Sequence, residues 1–483
     1  MRLILYIVEA FLGRCALPVY TKLFGVFFLL LAFCYCGIAR FIKGEKTRRV
    51  FGRILLLLAS YIFYCYANMK FLPVLLYVTA LTYLGGVVIG KKEKLLWPFV
   101  ILVLIPLLAY KYLGWGARQI ELPLGISFFT LQSITYLVAI HKKKIPTETD
   151  PFKIAVFVSF FPAVSSGPIL RAEKILPQFD KVEDFDYERV TDGLKLYAFG
   201  LFKKMVVADN LALYVSSVQG SAFNGESTGL GAAIILSAVL YSFQLYADFS
   251  GYSDIVIGCS RILGFDIGRN FDHPYLSGTV SEFWRRWHIS LSSWLRDYVY
   301  IPLGGSRVSK INIYRNTLIV FLVSGLWHGN GWTFVVWGLL HGLFVCADRL
   351  FGFGKDGKKR LWNILVTFVL VTFAWMFFSA PSMHSLFTEF RGIGTIGADL
   401  GRFFAGDIGV FELFAVEDSY SFLIAIISNL VFLICSIITY KQEGTEFIRG
   451  KNAAVRWALY FALILSILCF SASGHANFIY NEF

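Results

Sequence analysis

The chain has 483 residues, of which 57% are hydrophobic, 17% aromatic and only 16% charged. Soluble domains are about 45–50% apolar and about 25% charged. A composition with 48 Phe therefore excludes an ordinary soluble enzyme and, equally, a disordered chain. The net charge of +13 fits basic loops facing anionic lipid. Nucleic-acid binding would need a basic face on a soluble domain, and the sequence offers none. The expected class is all-α: a polytopic integral membrane protein.

In chain order, Glu9 and Arg14 interrupt the first apolar stretch and no small-residue cleavage site follows, so no removable signal is expected. Apolar runs then predict helices near 19–41, 54–66, 71–89, 95–113, 122–140, 152–170, 194–207, 231–259, 317–327, 332–350, 361–378, 422–440 and 457–470. Several are too short to cross alone, which leaves about ten to twelve transmembrane helices plus re-entrant or amphipathic ones. The loops at 43–53, 91–94 and 141–144 are basic, whereas 68–70 and 114–119 are nearly neutral. That alternation puts the basic loops in the cytoplasm and the N-terminus outside. No repeat, low-complexity tract or linker divides the chain, so 1–483 is expected to be one membrane domain, with 380–420 as an extramembrane cap.

The eight cysteines lie mostly inside apolar runs, where a thiol packs as a small hydrophobe. Cys34 and Cys36 have no second Cys or His pair nearby, so no metal site is expected. Nucleotide-binding glycine motifs are missing, and membrane-depth carboxylates are few. Asp248 and Asp254 sit in an apolar region and keep a proton-coupled carrier or flippase open as another class of function. Asp248 could equally be a structural hydrogen-bonding group.

Two histidines stand out. His328 lies in Ser-Gly-Leu-Trp-His-Gly-Asn-Gly-Trp (324–332). If the preceding helix enters the bilayer near Arg315, His328 sits about 20 Å deeper, beside Gly329 and Gly331, which loosen the helix. Either it faces a polar cavity or it is a packed histidine bonded to a neighbouring carbonyl. His288 lies in Phe-Trp-Arg-Arg-Trp-His-Ile-Ser-Leu (283–291). Trp284, Trp287, His288, Leu291, Trp294, Leu295 and Tyr298 follow helical spacing, which predicts one amphipathic helix with its tryptophans at headgroup level. An interfacial anchor with an incidental histidine is the alternative. His341, inside the run at 332–350, is expected to make an interhelical hydrogen bond. Desolvation keeps a buried imidazole neutral, so it can take a proton from an alcohol whose oxygen attacks an activated acyl carbon. A second His, or Arg and Trp side chains, could polarise the carbonyl or hold an anionic donor. Candidates for substrate contact are Trp284, Arg285, Arg286, Trp287, Trp327, Asn330, Asp248 and Ser250.

Several ordered motifs carry a family resemblance. They are Tyr-Ala-Asp-Phe-Ser-Gly-Tyr-Ser-Asp (246–254), the long run from Phe283 through Trp-Leu-Arg-Asp-Tyr-Val-Tyr-Ile-Pro-Leu-Gly-Gly-Ser (294–306), Ser-Gly-Leu-Trp-His-Gly (324–329) and Trp-Gly-Leu-Leu-His-Gly (337–342). Leu-Pro-Leu-Gly-Ile-Ser-Phe-Phe-Thr-Leu-Gln (122–132), Phe-Phe-Pro (160–162), Gly-Pro-Ile (167–169) and the ending Phe-Ile-Tyr-Asn-Glu-Phe (478–483) extend it. The chain resembles the membrane-bound O-acyltransferases, in the branch with the membrane subunit of bacterial alginate O-acetylation, over 122–350 plus the tail. The resemblance implies a ring of about eleven helices around a thinned centre, with His328 as the catalytic histidine and His288 as the second. It implies a cytosolic thioester donor, for this branch acetyl-CoA, with no bound cofactor. The acetyl group would pass through the bacterial cytoplasmic membrane to an exported polysaccharide, with an extracytoplasmic acetyltransferase as partner. D-alanyl transfer to teichoic acid is the neighbouring alternative. Two features depart from the pattern: Asn330-Gly331 replaces the usual Ala-Asn pair after Trp-His-Gly, and the stretch before Phe41 matches poorly.

Overall fold

The computed structural model describes residues 18–37, 41–113, 121–225, 230–353, 360–440 and 444–472, and every regular element among them is helical. Glu9, Arg14, Cys15, the loop at 114–119, His475 and the ending at 478–483 lie outside the described residues. The chain forms two compact units: Met1–Ala198 with Tyr252–Arg269, and Phe199–Gly251 with Asn270–Phe483.

In the first unit, α1 (Lys22–Ala32) starts on Thr21, whose hydroxyl accepts from the Phe24 amide at 3.2 Å. Long apolar rods follow as α2 (Glu45–Asn68), α3 (Leu72–Lys91) and α4 (Leu96–Tyr112). Helix α5 (Ile126–His141) differs from them, because thirteen of its sixteen residues are buried. It is walled by protein all round, as expected of a helix apolar on every face. Next come α6 (Pro151–Ser159), α7 (Phe161–Val164) and α8 (Ala172–Ile175). Asp150 accepts from the Phe152 amide at 2.9 Å to cap α6, and also receives Arg53 at 2.5 Å. Lys153 reaches Asp180 at 2.7 Å and Glu148 at 2.9 Å, so these half-buried charges are paired. Helix α9 (Tyr187–Leu201) carries the chain into the second unit.

The second unit opens with a π-helical turn, Phe202–Ala208, which continues into α10 (Asp209–Phe223). Helix α11 (Gly231–Ile262) follows, its residues from Tyr252 onward counted with the first unit, then the short α12 (Val280–Arg286) and α13 (Ile289–Leu295). Helices α14 (Lys310–His328) and α15 (Trp332–Phe351) form a hairpin, followed by α16 (Leu361–Ser379). The 380–420 segment folds as α17 (Met383–Ile393), α18 (Ile396–Ala405) and α19 (Val410–Leu413), with Leu386, Glu389 and Asp399 buried. Helices α20 (Ser419–Ile438), α21 (Gly444–Arg449) and α22 (Ala453–Phe470) complete it.

Seven helical stretches among the described residues are long and apolar enough to cross a membrane: Glu45–Lys91, Glu93–Tyr112, Gly231–Ile262, Trp332–Phe351, Leu361–Ser379, Ser419–Ile438 and Ala453–Phe470. The chain is a multi-pass membrane protein. Other apolar runs form shorter helices, as expected of runs too short to cross alone. Among the described residues the run at 19–41 is helical over Lys22–Gly37 and that at 122–140 over Ile126–His141, while 152–170 breaks into α6 and α7. The break is tolerated because residues 153–170 are buried, so protein groups meet its freed backbone.

Candidate active site

The chain reverses tightly after His328. Helix α14 ends on that residue, Gly329 to Gly331 make the turn, and α15 starts at Trp332. Because α14 is continuous from Lys310, His328 does lie about 20 Å along the axis from Arg315. Gly329 lets the ring of Phe334 fold onto the turn, since a Cβ there would overlap that ring. The arms of the hairpin cross backbone to backbone at Gly325 and Gly338. His328 is 3% exposed. Rings stand edge-on around it: Trp327 at 4.8 Å, Trp337 at 5.0 Å and Phe378 at 5.3 Å between centroids.

His288 corrects the expectation of one amphipathic helix. Helix α12 stops at Arg286, and His288 takes a left-handed conformation (φ 43°) as the N-cap of α13. That backbone is costly for a residue with a Cβ, and a neighbouring segment holds it. Ile289 N–H donates to the Asn270 carbonyl at 2.9 Å, and Asp272 N–H donates to the Arg286 carbonyl at 3.0 Å. The tryptophans are packed in protein rather than laid at a headgroup surface: Trp284 is 8% exposed and Trp287 1%. The repeat of apolar residues was real, but both short helices use it to pack inward.

The tautomer of His288 follows from its neighbours. Ser290 N–H, which can only donate, meets Asn270 Oδ1 at 3.3 Å, and the Ser290 hydroxyl donates to it at 2.9 Å. The atom facing them is therefore the amide oxygen. His288 Nδ1, 3.0 Å from the same oxygen, must carry the proton. The lone pair of the neutral ring then sits on Nε2. Burial pushes this imidazole down to about 3, so it is neutral at physiological pH. Phe249 packs edge-on against it at 4.8 Å, and Trp327, the ring beside His328, stands 6.1 Å away.

The other predicted residues divide into those near this pair and those engaged elsewhere. Trp284 and Trp287 belong to the surrounding aromatic cluster, with Trp287 5.1 Å from Trp375. Arg286 braces the fold, bonding Glu282 at 3.0 Å, the Asp272 carbonyl at 3.0 Å and the Tyr440 hydroxyl at 3.1 Å. Arg285 is exposed, and Asn330 is exposed on the hairpin turn. Ser250 is buried, with no hydrogen-bond partner for its hydroxyl among the described residues. Asp248 pairs with Lys204 at 2.8 Å, and Lys204 also meets Asp209 at 2.8 Å, all within 2% exposure.

Sequence reasoning missed Asn270, Lys204 and the ring wall of Trp337, Trp375 and Phe378. A lysine inside the apolar run at 194–207 and an aspartate inside that at 231–259 were a legible signal, since each needs the other. His341 makes the expected interhelical bond, accepting from the Trp284 indole at 3.1 Å. Buried Ser324 Oγ, Trp337 Nε1 and His341 Nε2 have no partner among the described residues. Among those residues no group of three or more His, Cys, Asp or Glu is placed to hold a metal ion.

The described residues thus form a multi-pass helical protein that buries His288 and His328 among aromatic rings. The family model of the membrane-bound O-acyltransferases matches residues 94–387, and the chain belongs to that family. It is 34% identical to a peptidoglycan O-acetyltransferase of Helicobacter pylori, across 80% of this chain and 82% of that one. It is also 34% identical to a probable alginate O-acetylase of Pseudomonas aeruginosa, across 77% and 74%. A teichoic acid D-alanyltransferase of Bacillus subtilis is 27% identical across 54% and 69%. The chain is a membrane O-acyltransferase.

Proposed function

We propose that this protein moves an acetyl group from a cytosolic thioester, acetyl-CoA, across the bacterial cytoplasmic membrane for O-acetylation of an exported polysaccharide. An extracytoplasmic acetyltransferase acts with it, and the basic loops between the first spans face the cytoplasm. His328 serves as general base or acyl relay, and His288 assists. The observation that carries this reading is the pair of buried imidazoles that both stand against the Trp327 ring, one of them with its lone pair oriented by Asn270. Names of relatives that acetylate peptidoglycan or alginate support the acceptor class.

In chemical terms, a neutral imidazole nitrogen takes the proton of the attacking hydroxyl as its oxygen bonds to the acyl carbon. The carbon–sulfur bond breaks, and the departing thiolate takes the proton back. Trp284, Trp287 and Trp327 keep water from the acyl carbon, and exposed Arg285 and Asn330 meet the polar ends of donor or acceptor.

The test uses membranes holding the full chain, radiolabelled acetyl-CoA, and His328→Ala beside the wild type at equal abundance. Label should reach polymer or a partner protein with the wild type alone. Equal labelling by both would remove His328 from the reaction. If neither uses acetyl-CoA, a carrier-protein thioester is supplied instead, the donor expected if the chain follows its teichoic acid relative.

A further inference from the structure

His341 lies on α15, thirteen residues beyond His328, and is fully buried. Trp284 Nε1–H donates to its Nδ1 at 3.1 Å. An indole nitrogen can only donate, so Nδ1 holds the lone pair and the neutral ring carries its proton on Nε2. The imidazole is edge-on to Trp284 at 5.0 Å and to Trp337 at 5.1 Å, and stacks on Phe283 at 6.4 Å.

Each of those neighbours leads to one of the two histidines of the site. Trp337 stands edge-on against His328 at 5.0 Å and stacks on Trp375 at 5.7 Å. Trp284 sits on α12, the helix whose end delivers Trp287 and His288. A phenylalanine would fill the same space but would leave the Trp284 N–H without an acceptor, at a cost of about 1–3 kcal/mol for an orphaned buried donor. The position therefore needs a ring that also accepts, which histidine supplies.

We propose that His341 is a positioning residue for the acyl-transfer site: its bond to Trp284 sets α12 against α15, and its contact with Trp337 sets the ring of His328. The proposal rests on the assignment of His328 made above. It acts at one remove, since nothing requires His341 to touch donor or acceptor.

The experiment compares the full chain in nanodiscs as wild type, His341→Phe, His341→Gln and Trp284→Phe/His341→Phe. Two quantities are read: kcat and KM for acetyl-CoA, and the ¹⁵N spectrum of histidine-labelled protein, with the His328 signals assigned by their loss in His328→Asn. His341→Phe should lower kcat by up to about 100-fold, leave KM within about twofold, and shift the His328 signals. His341→Gln keeps an acceptor and should recover part of kcat. The double variant removes donor and acceptor together, so thermal stability should return while kcat stays low. A purely structural role would leave His341→Phe with wild-type kcat per folded protein and unshifted His328 signals. Unchanged His328 signals in both His341→Phe and the double variant would overturn the proposal, as would wild-type kcat in either. The spectral arm decides it even where the wild type transfers no acetyl group, an outcome that counts against the proposed function alone.

Discussion

Replacing Gly338 by alanine adds one methyl group where α14 and α15 cross. The new Cβ would lie 3.2 Å from the Phe321 carbonyl carbon and 3.3 Å from Gly325 Cα, and closer still to the Phe321 carbonyl oxygen. Carbon atoms pack best at about 3.5–4.0 Å, and the obstacles are backbone, which no rotamer change can move aside. The helices must separate by about half an ångström or more, at an overpacking cost of about 1–3 kcal/mol. His328 is one turn beyond Gly325, and Trp337 is the neighbour of Gly338, so the same separation moves the ring and its wall apart. Misplacement on that scale reduces transfer by up to about 100-fold. Thermal unfolding in nanodiscs and acetyl transfer per folded protein read the two effects. Gly401→Ala on α18 is the control, because a Cβ there meets nothing within 4 Å, and removing an interior helical glycine stabilises by about 0.5–1 kcal/mol. A Gly338→Ala protein with wild-type stability and rate would refute the backbone-contact argument.

Two further predictions concern buried charge. Lys204→Met leaves Asp209 and Asp248 side by side without their shared cation, and should cost about 3–5 kcal/mol. Replacing all three residues by apolar ones should recover most of that loss in the same unfolding assay; a harmless single substitution would show that the triad carries little. Glu389 on α17 has no hydrogen-bond partner for either oxygen among the described residues, and burial pushes its carboxyl up to about 8. The folded state then holds a proton that the unfolded state releases above its ordinary value of 4.5, so stability falls as pH rises between those values, by about 1.4 kcal/mol per unit. Glu389→Gln should flatten that slope, and identical slopes for the two proteins would show that Glu389 is not held protonated.

The membrane class and the helical content were legible because each depends on local quantities. Span-length apolar runs stay helical wherever they lie, and a histidine beside Trp and Gly at span depth is conspicuous. His341 was legible for the same reason, since a polar side chain amid apolar residues must find a partner, and Trp284 supplies it. Which of the apolar runs are walled by protein was not legible. Composition makes α5 and the 152–170 run look like the other spans, yet protein surrounds them, and only tertiary packing distinguishes a helix walled by protein from one walled by lipid.

The break at His288 shows what periodicity leaves undetermined. The apolar repeat from Trp284 to Tyr298 is what one helix would need, and it is also what two short helices need when both pack inward around a kink. The choice between them depends on Asn270, eighteen residues upstream, whose backbone and side-chain oxygens take the Ile289 and Ser290 amides that a continuous helix would have bonded internally. The same amide oxygen takes His288 Nδ1–H, so one side chain both holds the strained backbone and orients the imidazole lone pair. Strain at such a residue persists only where surrounding bonds over-determine it. Here those bonds also set the proton on the ring, so the helix break and the placement of the imidazole lone pair have the same origin.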